Sequence, residues 1–195
     1  IKALYEISPL MGMKSQLGGN AEIAFVQGYC GDQTKQEQQE TNWQEKSLEN
    51  GGGSMIQHQN TKLTEKRRKL REEALRLAAD YDTVIFVGGL DHTHDCEGND
   101  RPDMKLPYEQ DLLIQKLLEV RKDLVIVMLA GSPVEMKSWI HQADTVVWSW
   151  YAGMEGGNAL AEVLLGKVNP SGKLPETFYK THRDCSAHAV GTFAE

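Results

Sequence analysis

Two stretches decide the fold: Val84-Ile85-Phe86-Val87, in a run that starts at Thr83 and is ended by Gly88-Gly89, and Val125-Ile126-Val127-Met128, within the strand expected over 124–129. Both are apolar at every position rather than at alternate ones, so a strand built from either must be covered on both faces. That is the pattern of parallel strands sandwiched between helices. The segment between them supplies the crossover, because Leu113, Leu117 and Val120 recur at helical spacing over 108–121, with Pro107 near the first turn.

The same alternation continues outward. Upstream, Leu70, Ala74, Leu77 and Ala78 form a stripe that predicts a helix over 63–80, and 22–26 is a short strand candidate. Downstream, the pattern predicts a short helix over 133–141, a strand over 145–150 and a helix over 155–165 closed by Gly166. The expected fold is α/β, a three-layer α/β/α sandwich with a mostly parallel sheet. In open sheets of this kind ligands collect outside the carboxyl ends of the strands. The loops to inspect are therefore 88–107, Gly131-Ser132-Pro133 and 151–158.

At 195 residues the chain is expected to form one domain over 1–195, interrupted by an excursion at about 31–62. That stretch is rich in Gln, carries Gly51-Gly52-Gly53-Ser54 and has few apolar anchors, which is the composition of a flexible loop. The glycine run is not followed by Gly-Lys-Ser/Thr, so it does not read as a phosphate loop.

Charge and cysteine content narrow the function. Lys and Arg number 21 against 28 Asp and Glu, a net charge of −7, which repels a nucleic-acid backbone. The one basic run, Lys66-Arg67-Arg68-Lys69 with Arg71, is answered by Glu65, Glu72 and Glu73 and reads as a solvated helix face. Apolar runs stop at seven residues, far short of the roughly twenty needed to span a bilayer. No nucleic-acid or membrane partner is expected. The three cysteines, Cys30, Cys96 and Cys185, form no CxxC pair and are expected to be free thiols.

The loop after the first apolar run reads Gly89-Leu90-Asp91-His92-Thr93-His94-Asp95-Cys96-Glu97-Gly98-Asn99-Asp100-Arg101 and holds the densest chemistry in the chain. His92, His94 and Cys96 alternate as ligands on an extended segment would, but the spacing matches no established zinc hairpin or helical pair. Polar residues on a solvated loop explain the spacing as well, and no metal is assigned.

Resemblance separates these readings. Gly89-Leu90-Asp91, Glu97-Gly98-Asn99-Asp100-Arg101 and Leu106-Pro107 resemble the acid/base loop of glycoside hydrolase family 3 enzymes of the β-glucosidase and β-xylosidase type. Three further segments agree in order: Gly131-Ser132-Pro133-Val134, then Trp148-Ser149-Trp150-Tyr151-Ala152-Gly153-Met154-Glu155-Gly156-Gly157, then Asn169-Pro170-Ser171-Gly172-Lys173-Leu174-Pro175-Glu176-Thr177-Phe178. Residues Ile1 to Ile7 with Pro9-Leu10 look like the lead into the first helix of the family's second domain. The resemblance covers that α/β sandwich domain alone. It implies a missing first strand, a missing N-terminal barrel and a longer parent enzyme.

What the resemblance implies about chemistry is retaining hydrolysis of terminal non-reducing β-linked sugars, β-glucosides first and β-xylosides next, without a cofactor. The nucleophilic Asp belongs to the barrel, which would be the partner of this domain, and the Glu-Gly-x-Asp-Arg match places the general acid/base on Glu97. A proton must persist on Glu97 near neutral pH, held there by partial burial or by a negative neighbour, for which Asp95, Asp100 and the barrel nucleophile are the candidates. Asp100 and Arg101 are expected to position the loop, Arg101 by pairing with Asp100 or Asp103. Trp150 and Tyr151 are balanced between stacking on a sugar and packing, Trp148 is expected to pack, and Glu155 is expected to serve the following helix. Gly98 is expected to allow a sharp turn with positive φ. Neither His92 nor His94 is assigned to catalysis. The rival reading is a non-catalytic carbohydrate-binding or domain-packing module that retains the motifs.

Overall fold

The computed structural model describes residues 3–31, 53–96, 98 and 101–190. Its centre is a sheet of β1 (Ile85–Gly89), β2 (Val125–Leu129) and β3 (Thr145–Trp148) in that order. All pairings are parallel, with Ile85 beside Val125 and Val125 beside Thr145. This is the α/β architecture that the apolar runs demand.

Helices α1 (Pro9–Leu17), α2 (Gly53–Asp80), α3 (Gln110–Val120) and α4 (Gly156–Leu164) surround the strands, and α5 (Ser186–Ala189) is a single turn near the end. On one face of the sheet Phe86, Ile126 and Met128 join Ala74 and Ala78 of α2 and Leu113, Ile114, Leu117 and Leu118 of α3 in one core. Val127 points the opposite way and is also fully closed from solvent, so both faces of β2 are covered. Helices α1 and α4 make a second pair whose backbones touch. A Cβ on Gly12 would stand 2.0 Å from the Gly157 carbonyl oxygen, and one on Gly157 would stand 2.2 Å from that of Ser8. The entry to α1 is fixed by Ser8, whose hydroxyl accepts the Met11 N–H at 3.2 Å, and by Pro9 at the first helical position.

Several expected boundaries move, each for a local reason. The helix expected over 63–80 begins at Gly53, so the part of the expected excursion over 53–62 is helical; residues 32–52 lie outside the described residues. The strand candidate over 22–26 forms no ladder, and Phe25 there is 68% exposed. Strand β1 runs through Gly88 and Gly89 instead of stopping before them, because the chain there passes too close to β2 for a side chain: a Cβ on Gly89 would meet the Leu129 carbonyl oxygen at 1.9 Å. β3 stops at Trp148, since Trp150 adopts a left-handed φ of 54° that no strand tolerates. In place of a helix over 133–141 there is a turn closed by Met136 and a 3-10 turn, Ile140–Gln142, which drop the fully buried Trp139 into the core with its indole N–H on Asp111 at 2.7 Å.

Candidate active site

The sheet's three parallel strands all deliver their carboxyl ends to one edge, and the first loop leaves there from a closed ladder. Gln110, at the start of α3, is fully buried and acts as a surrogate strand. Its Oε1 accepts the Gly89 N–H and its Nε2 donates to the Gly89 carbonyl, both at 2.8 Å. Just before it, Tyr108 and Glu109 both have left-handed φ, 63° and 60°, which delays α3 to Gln110. The turn is held by the Tyr108 hydroxyl on Asp91 at 2.5 Å and by a Glu109–Arg71 ion pair at 2.8 Å.

Asp91 gathers the first part of the loop. One carboxylate oxygen takes the Thr93 N–H at 3.0 Å, the Thr93 hydroxyl at 2.7 Å and His94 Nδ1 at 2.9 Å, while Tyr108 binds the other. Burial works to raise the Asp91 carboxyl, but hydrogen bonds from Tyr108, His94 and Thr93 outweigh it and hold it at about 2. Burial and the Asp91 bond together push the Tyr108 hydroxyl up to about 12. His92 is exposed and so is Cys96. Among the described residues no three His, Cys, Asp or Glu side chains gather as a metal would require.

The next residues join the loops to one another. Asp95 Oδ2 accepts the Gly131 N–H, from the loop after β2, at 3.1 Å, and the Tyr151 hydroxyl, from the loop after β3, at 2.8 Å. Burial first and Asp95 second push the Tyr151 hydroxyl up to about 12, so it stays a donor. Arg101 forms a second anchor on the β2 loop, its Nη2 donating to Ser132 Oγ at 3.0 Å and to the Pro133 carbonyl at 2.9 Å. The expected pairing of Arg101 with Asp103 is not made; Asp103 accepts the Lys105 N–H at 2.9 Å instead, capping its own turn. Glu97 and Asp100 lie outside the described residues. Gly98 between them has φ +76° and open space around its Cβ position, in keeping with the sharp turn expected there.

The aromatic residues divide as follows. Trp148 packs edge-on against Phe178 at 4.6 Å and against Trp150 at 6.0 Å, which is the packing role expected of it. Tyr151 is 54% exposed. Glu155 precedes α4, and its carboxylate accepts from the Tyr5 hydroxyl and from Asn158 Nδ2, each at 2.6 Å, bonds that lower its proton affinity in that order. Tyr108 and Gln110 are not legible as site residues, and Asp95 reads as a negative neighbour of Glu97 but not as a tie between loops. Their partners are far away in sequence, and the only local hint was a polar residue beside a strand end.

A sequence profile described as "Glycosyl hydrolase family 3 C-terminal domain" matches residues 2–193. The chain belongs to glycosyl hydrolase family 3. Beta-glucosidase BoGH3A of Bacteroides ovatus is 49% identical to this family 3 domain over 124 residues, which are 63% of this chain and 16% of that protein. Among solved structures, the family 3 β-glucosidase of Bifidobacterium adolescentis aligns over 98% of this chain and 24% of its own, with a TM-score of 0.71 and 26% identity. The family 3 exo-β-xylosidase XlnD, solved with a xylobiose aziridine probe, aligns over 89% of this chain and 18% of its own, with a TM-score of 0.63 and 30% identity. The domain thus spans less than a quarter of the length of each of these relatives.

Proposed function

We propose that this family 3 domain supplies Glu97 as the general acid/base of a retaining, exo-acting β-glucosidase, and that an N-terminal barrel of the same enzyme supplies the nucleophile. The observation that carries the reading is the bracketing of Glu97 by two fixed residues. Asp95, two positions before it, and Arg101, four positions after it, are both bonded to the loop that follows β2. A loop held on each side of a carboxyl group suits an acid that must meet a glycosidic oxygen at a defined angle. A domain that merely packs has no use for it.

In such a reaction the barrel carboxylate attacks the anomeric carbon while Glu97 gives its proton to the departing oxygen. In the second step Glu97, now a base, takes a proton from the water that releases the sugar. The two carboxyl groups then stand about 5 to 5.5 Å apart. The isolated chain, lacking the nucleophile, is expected to be inactive. β-Glucosides are proposed ahead of β-xylosides as substrates, a reading supported by the 49% identity over 124 residues to the β-glucosidase of Bacteroides ovatus.

The test is Glu97→Ala in the enzyme that joins this domain to its barrel. Turnover of alkyl and disaccharide β-glucosides, whose leaving groups need a proton, should fall by about 10²- to 10⁴-fold, and that of activated aryl β-glucosides far less. Equal losses on both classes would refute the acid role.

A further inference from the structure

Asp95 holds three loops at once. It sits on the loop after β1, its Oδ2 takes the Gly131 N–H from the loop after β2, and the same oxygen takes the Tyr151 hydroxyl from the loop after β3. The junction is closed tightly around Gly131, where a Cβ would come within 2.7 Å of the Tyr151 ring and 2.8 Å of the Asp95 carboxylate. Asp95 also stands two residues before Glu97 in the sequence.

We propose that Asp95 is the positioning residue of the acid/base loop, its single carboxylate oxygen locking the three strand-end loops into one unit that sets the direction of Glu97. The inference rests on the reading of Glu97 as the acid/base. Asp95 touches neither substrate nor reacting atoms in this role; it acts through the loop. The bond to Tyr151 lies at the surface, where a hydrogen bond adds little to folding because water competes for both partners. Its value is therefore directional, and its loss should appear in catalysis and not in stability. Because one oxygen serves both donors, an amide in place of the carboxylate keeps the junction, whereas removing the acceptor opens it.

The experiment compares Asp95→Ala, Asp95→Asn, Tyr151→Phe and Glu97→Ala in the enzyme that joins this domain to its barrel, with kcat and KM for a poor and for an activated leaving group, and thermal midpoints throughout. Asp95→Ala should lower kcat on the poor leaving group by about tenfold to a hundredfold, the loss expected of a misplacement near 1 Å. KM and thermal midpoint should be little changed, Asp95→Asn should retain most of the rate, and Tyr151→Phe should fall between. If Asp95→Asn is as damaging as Asp95→Ala, the residue acts through its charge and the positioning role is overturned. If Asp95→Ala leaves the poor-to-activated ratio of kcat intact while Glu97→Ala collapses it, the junction is irrelevant and the acid assignment stands alone. If Glu97→Ala also leaves that ratio intact, both are wrong.

Discussion

Replacing Gln110 with Met tests how the first loop is launched. The two side chains are close in size, so the perturbation is confined to two hydrogen bonds, both 2.8 Å long and both made to the peptide groups of the buried Gly89. Leaving a buried donor or acceptor unpaired costs about 1–3 kcal/mol, so losing both partners at once should cost roughly 2–6 kcal/mol. That is a large part of the 5–15 kcal/mol typical of a folded domain. Gln110→Glu gives a second reading through pH. An ionised carboxylate can accept from the Gly89 N–H but cannot donate to its carbonyl, and burial costs the charged form most, so the protonated form is favoured in the fold. Its folded pKa then lies above the unfolded value of about 4.3, and the stability it contributes is complete below that value and is lost as pH rises through the folded one. Urea unfolding of the chain, followed by tryptophan fluorescence, reports both. A Gln110→Met variant within about 1 kcal/mol of the parent, with unchanged urea dependence, would refute the surrogate-strand account.

Two other outcomes follow from contacts at either end of the sheet. The Tyr108 hydroxyl is the strongest of the bonds that hold the Asp91 carboxyl at about 2 against its own burial, so Tyr108→Phe should raise it; carboxyl-carbon NMR titration reads the change, and an unmoved titration would sink the idea. Because a depressed carboxyl stabilises the fold above its unfolded pKa of about 3.9 and loses that contribution as pH falls toward 2, the variant should show its deficit above that window and converge with the parent at its acid end. Gly157→Ala should destabilise the chain by about 1–3 kcal/mol or more by forcing α4 from α1, whereas Gly172→Ala, with nothing within 4 Å of its Cβ position, should stay within about 0.5 kcal/mol of the parent; equal costs would argue against the close helix contact.

The sheet was legible because its strands announce themselves through burial on both faces: Ile126, Val127 and Met128 are each fully closed from solvent, and each is apolar in the sequence. Helix faces were legible for the same reason, as the stripe at Ala74 and Ala78 meets that of Leu113 and Leu117 in one core. What failed were features decided by backbone fit. Gly88-Gly89 reads locally as a strand terminator, yet the pair lies inside β1 because β2 approaches closely there. Val26 looks like part of a strand, and it is indeed partly buried against the core, but apolar character alone does not create a neighbour to pair with. At the candidate site, the loop after β1 stands out by its motif, and Gly98 has the positive φ expected of it. The bonds that hold the loop were not found, since Asp95 is separated from Gly131 by 36 residues and from Tyr151 by 56. No local pattern records such a contact.

The distribution of anchors also bears on where the rigidity of the site comes from. Asp95 and Arg101 both end on the 131–133 loop, which leaves β2, the strand with neighbours on both sides and the deepest burial. Ala130 and Val134 flank that loop and are themselves fully buried, so the loop is pinned into the core at each end. The loop after β1 is thus referenced to the part of the fold least able to shift, while the Cβ position of Gly98 has open space around it. In the proposed acid/base role Glu97 must first give a proton and then take one from water, which calls for a loop held in a defined place. Anchors at Asp95 and Arg101, on either side of Glu97 in the sequence, are suited to that proposed role.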